Sequence, residues 1–151
     1  GDDSSVMRTM LTPNMMDVLA KNYAKGNKDV SLFEIGRIFN NVAINCDGQP
    51  AEAEGLCIGM YGEDADFFAL KGMINQLLSL MGMDEPVYEA EKNLPMYHPG
   101  RCANILYNGE LLGTMGEMHP DVCERYGIGT RVYSCELLFS IIMLPASSDI
   151  V

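Results

Sequence analysis

Two stretches carry apolar residues at helical spacing. In the first, Met15, Val18, Leu19 and Tyr23 fall on one face, as an amphipathic helix packed on a sheet requires. Thr12 reads as its N-cap, Pro13 as its first helical residue and Gly26 as the residue just past its end. In the second, Asp66 caps a helix whose buried face is Phe67, Leu70, Ile74, Leu77, Leu78 and Met81, ended by Gly82. Elsewhere the period shortens to two. Residues 54–61 put Leu56, Ile58 and Met60 on one face of a strand and the small Gly55, Cys57 and Gly59 on the other. A face of small residues implies close approach of another element.

Residues 29–39 (DVSLFEIGRIF) are too densely apolar for a helix stripe and read as a strand, with Gly36 suited to a bulge. Residues 42–45 read as a short returning strand, 46–50 as a turn, and 87–91 as another strand. The stretch Tyr97-His98-Pro99-Gly100-Arg101 is a turn signal leading into a strand over 101–107. Asn108-Gly109 then predicts a type I′ hairpin, because both central residues need positive φ. The partner strand spans 110–117, a short helix spans 119–126 closed by Gly127, and a last strand spans 131–139. Residues 141–144 begin a helix stopped by Pro145. The sum, about seven strands and four helices, predicts an α+β fold: a mostly antiparallel sheet flanked by helices, with the 101–117 hairpin near its middle.

Composition narrows the function classes. The chain of 151 residues is 48% hydrophobic and fits one domain with a sizeable core. Twelve Met and no Trp suggest an adaptable core. The formal charge of −11 argues against a nucleic-acid-binding surface, and no run of Lys or Arg offers a local exception. No stretch is long and apolar enough to predict a membrane span, and Gly1-Asp2-Asp3-Ser4-Ser5 is not a signal peptide. Residues 1–145 read as the domain and 146–151 as a linker to a following domain, so a segment of a longer protein is expected. Five Cys, odd in number and without a C-x-x-C, point to reduced, buried thiols in a cytosolic protein.

Local chemistry is sparse. The segments from His98 to Cys102 and from His119 to Cys123 both read H-P-x-x-C, and His98, Cys102, His119 and Cys123 form a possible zinc set. The two pairs are not equivalent, however: His98 lies in a turn and Cys102 in a strand, whereas His119 and Cys123 belong to a helix. A nucleophile set such as Cys102, His98 and Glu117 is one that any chain of this size permits, and there is no G-x-S-x-G. Gly55-Leu56-Cys57-Ile58-Gly59 matches no phosphate loop. Lys71 reads as a solvated lysine. Arg37 and Arg101, each following a glycine, could bind phosphate or carboxylate; an internal ion pair is the preferred expectation.

Several motifs in order carry a resemblance. They are MRTMLTP at 7–13, LFEIGRIF at 32–39 with Glu34, Gly36 and Arg37, DFFALKG at 66–72, His98-Pro99-Gly100-Arg101, Gly116-Glu117-Met118-His119-Pro120, and RVY at 131–133. Together they make the chain similar to the beta subunit of bacterial phenylalanyl-tRNA synthetase. The resemblance implies a class II synthetase-like core that has lost catalysis. It also implies a heterotetramer of two alpha and two beta subunits whose alpha subunit activates phenylalanine, with ATP and magnesium serving the parent enzyme and no cofactor in this domain. Contacts with tRNA(Phe) would come mainly from other parts of the complex. The resemblance places the second class II motif on residues 32–39, where Glu34 stands at the position expected for a phosphate-binding arginine and would repel a triphosphate. Residues 133–139, aligned with the third motif, hold neither Gly nor Arg. No catalytic or metal residue is carried over. The alternative is a residual pocket for an amino acid or nucleotide, distinguished by an arginine on the open face of the sheet.

Overall fold

The computed structural model describes residues 11–44 and 50–139, with side chains for 11–36 and 54–139. The elements run α1 (Thr12–Ala24), β1 (Val30–Ile44), β2 (Pro50–Tyr61), α2 (Phe67–Leu80), β3 (Val87–Glu91), β4 (Tyr97–Tyr107), β5 (Glu110–Met118), α3 (Pro120–Arg125) and β6 (Val132–Phe139). The described residues thus form six strands and three helices, an α+β arrangement as expected. All five strand pairings are antiparallel, in the order β1-β2-β6-β5-β4-β3. The β4–β5 hairpin sits one strand off centre, because β6 inserts between β5 and β2. No helix among the described residues is long and apolar enough to cross a membrane.

Strand alternation divides the core in two. Leu56, Ile58 and Met60 of β2 pack with Leu70, Ile74 and Leu78 of α2. Cys57 and Tyr61, pointing the other way, pack with Leu11, Met15, Met16 and Leu19 at α1. The small face of β2 has the consequence expected of it. A Cβ on Gly59 would stand 2.6 Å from Met15 Cγ and 2.8 Å from Leu19 Cδ1, so the glycine lets α1 lie against the strand. Val18, assigned to the buried face of α1, is 41% exposed; Met16 takes its place.

Several boundaries differ from expectation. Residues 42–44 do not return: β1 continues to Ile44, and β2 already begins at Pro50. Pairing with a long neighbour overrides the polar Asn40-Asn41, which alone reads as a break. Gly36 is no bulge but stands in register opposite Gly55; the irregularity falls between Asn40 and Ile44. The Pro99-Gly100 turn is instead a bulge within β4, with a register shift between Tyr97 and Cys102 and Gly100 at φ 82°. Asn108 and Gly109, at φ 52° and 81°, form the expected hairpin turn. The N-cap of α1 is Leu11, which gives no side-chain cap, and Thr12 is the first helical residue. Asp66 caps α2 as expected, its carboxylate accepting from Ala69 N at 2.7 Å. The expected helix over 141–144, the linker over 146–151, and Asn45 to Gln49 lie outside the described residues.

Candidate functional site

Beyond the start of α2, the sheet face on that side is left open. There a cavity of about 640 Å³ is lined by Phe67, Phe68 and Lys71 of α2, by Tyr88 of β3 and by Arg101 of β4. Glu117 of β5, Arg131 just before β6 and Tyr133 of β6 also line it. Its volume is in the range of small-molecule sites. Three basic side chains, from α2, β4 and the residue before β6, line it, although the chain as a whole is strongly acidic.

Glu117 organises the charges. It is 4% exposed, and a carboxylate removed from water needs compensation. Arg101 Nη1 donates to its Oε1 at 3.0 Å, and Arg131 Nε stands 3.9 Å from its Oε2. Arg101 is thereby placed in the expected internal ion pair, yet its side chain remains 49% exposed at the cavity. Lys71 is not merely solvated: its ammonium lies 4.7 Å from the Tyr88 ring centre, a cation–π geometry. Burial pushes the Tyr88 phenol well above its ordinary value, so it stays protonated and donates to Asn75 Oδ1 at 2.6 Å.

The meeting of Arg101 with Glu117 depends on one extra residue. The hairpin starts with Tyr107 opposite Glu110 and Leu106 opposite Leu111. Continued unchanged, that register would set Met115 opposite Cys102. The shift between Leu106 and Ile105 sets Gly116 there instead, bringing Glu117 level with Arg101.

The remaining candidates disperse. Glu34 stands opposite Cys57, whose side chain belongs to the cluster under α1. It is therefore on the face away from the cavity and does not oppose a ligand there. Arg37 stands opposite Glu54 in backbone register. On β6, the positions facing α2 are Tyr133, Cys135, Leu137 and Phe139, all buried in the core, so this strand offers the cavity no cation, and Arg131 lies just before it.

The zinc set is not assembled, and no group of three or more His, Cys, Asp or Glu among the described residues is disposed to hold a metal ion. Its members are committed locally. His98 Nδ1 donates to the Pro99 carbonyl at 2.7 Å, and His119 Nδ1 accepts from Asp121 N at 3.1 Å to cap α3, which Pro120 opens. The Cys102 thiol donates to the Glu91 carbonyl at 3.1 Å. Cys57, Cys102, Cys123 and Cys135 are free and buried. Burial, helped by the nearby Glu136 charge, pushes the Cys57 thiol up to about 12, so it is a poor nucleophile. Cys46 lies outside the described residues.

Residues 1–139 match the family model of the phenylalanyl-tRNA synthetase beta chain CLM domain. The chain belongs to that family. Among its relatives, the phenylalanine–tRNA ligase beta subunit of Clostridium acetobutylicum is 41% identical over 138 residues, covering 91% of this chain and 17% of the relative. That of Clostridium tetani is 35% identical over 152 residues, covering 99% of this chain and 19% of the relative. The chain thus spans about a fifth of the length of the curated relatives it matches. Among solved structures, pyrrolysyl-tRNA synthetase from Desulfitobacterium hafniense superposes with a TM-score of 0.68 at 17% identity, covering 87% of this chain and 46% of that one. At that identity the likeness shows the fold alone, a class II synthetase core.

Proposed function

We propose that this CLM domain is a non-catalytic, synthetase-like module of the phenylalanine–tRNA ligase beta subunit. On this reading it scaffolds the catalytic alpha subunit, in a cytoplasmic assembly of two alpha and two beta subunits. ATP and magnesium serve that enzyme's charging of tRNA(Phe) with phenylalanine, and tRNA is held mainly by other parts. Residues 1–145 are the core module and 146–151 lead onward.

The observation that carries the loss of catalysis is the engagement of Arg101 and Arg131 by Glu117. A triphosphate site needs an excess of guanidinium charge where the phosphates sit. Here a buried carboxylate stands 3.0 Å from Arg101 and 3.9 Å from Arg131, offsetting part of their charge, and an incoming triphosphate would meet it at close range. Calorimetric titration of the purified protein with Mg-ATP, with and without phenylalanine, tests this. No saturable heat at millimolar ligand is expected; saturable micromolar binding of ATP would overturn it. A second reading, a residual small-molecule pocket, is favoured by the open cavity itself.

A further inference from the structure

The geometry points to the cavity between α2 and β3–β6 as a binding site for a small monocarboxylate with a flat apolar body, and not for a nucleotide or an amino acid. This does not rest on the proposed role in the ligase. The cavity has two unlike parts. One is apolar: Phe67 and Phe68 form an edge-to-face pair with ring centres 6.1 Å apart, and Tyr88, Ala103 and Tyr133 extend the surface. Phe68 is 77% exposed at this rim, an aromatic surface that nothing among the described residues covers.

The other part is cationic. Arg101 uses only Nη1 on Glu117, so its Nε and Nη2 donors have no partner among the described residues. The Lys71 ammonium has only the Tyr88 face. A planar guanidinium edge with two donors matches a carboxylate.

Charge and pairing limit the ligand. Three cations (Lys71, Arg101 and Arg131) line the cavity with two carboxylates (Asp66 and Glu117). The local surplus of one positive charge suits a single carboxylate and leaves a polyphosphate overcharged. An amino acid is a zwitterion and would leave that surplus uncompensated.

The test is a ¹⁵N–¹H NMR titration of the purified protein with 3-phenylpropanoate. The expected result is saturation with Kd at or below about 5 mM, as a ligand of this size allows. The shifts should centre on the amides of Ala90, Ala103 and Tyr133. The neutral 3-phenylpropan-1-ol and phenylalanine should each bind at least about fivefold more weakly. Lys71→Gln and Arg131→Gln, both at the cavity mouth and outside the close Arg101–Glu117 pair, should each weaken 3-phenylpropanoate at least about threefold with an unchanged spectrum otherwise. Absence of saturation by 50-fold the expected Kd, shifts centred elsewhere, or equal binding of the alcohol or of phenylalanine would overturn the proposal. Full-strength binding by both variants would do so too.

Discussion

Replacing Glu136 by Ala should destabilise the fold by about 3–5 kcal/mol, a large part of what a domain of this size possesses. Glu136 lies on β6, 3% exposed, yet it caps a helix more than 120 residues earlier. Its carboxylate accepts from Leu11 N at 3.2 Å, from Thr12 N at 3.0 Å and from the Thr12 hydroxyl. The Leu11 side chain supplies no cap, so this carboxylate replaces one and also meets the positive end of α1. Alanine would leave these buried donors unpaired and a cavity beside them. Glu136→Gln should cost less, about 1–2 kcal/mol, because one amide oxygen still accepts while the amide NH₂ crowds a donor. Urea unfolding of both variants measures this, and a loss below 1 kcal/mol for the alanine variant would refute the cap.

Gly113→Ala should be as damaging, at about 3 kcal/mol or more, with failure to fold as the extreme. A Cβ at this position would lie 2.1 Å from the backbone oxygen of Glu136 and 2.8 Å from Leu137 Cα. Both are backbone atoms of the neighbouring strand, across the Gly113–Leu137 pair. Side chains can turn aside; a paired strand moves only by breaking its ladder. Gly72→Ala is the contrast. That glycine is in α2 with nothing within 4 Å of the new methyl, so the change should stabilise by about 0.5–1 kcal/mol. Melting curves of the two variants should move in opposite directions, and a Gly113→Ala protein as stable as the parent would contradict the close strand approach.

The elements written into local chemistry were legible in the sequence. Asp66 as a cap, Asn108-Gly109 as a type I′ turn, and the small face of β2 under α1 each follow from a few adjacent residues. What was not legible depends on distant pairing. Thr12 looks like an N-cap because Thr-Pro usually is one; its hydroxyl is instead drawn to Glu136 on a strand at the far end of the chain. The continuation of β1 through Asn40-Asn41 is imposed by β2, not by those residues. In the cavity, Arg101 and Glu117 could be singled out but not paired, because the hairpin register alone misses by one residue and the shift after Ile105 corrects it. Lys71 and Arg131 belong to unrelated motifs that only the assembled sheet brings together. Glu34 stands on the α1 side of the sheet, because strand alternation sets it opposite Cys57.

On the proposed reading, a synthetase fold serves here for assembly. Sedimentation velocity of the purified protein mixed with phenylalanine–tRNA ligase alpha subunit, at micromolar concentration and physiological salt, tests it most directly. A faster-sedimenting complex containing both chains is expected. Two species sedimenting independently across that concentration range would contradict it.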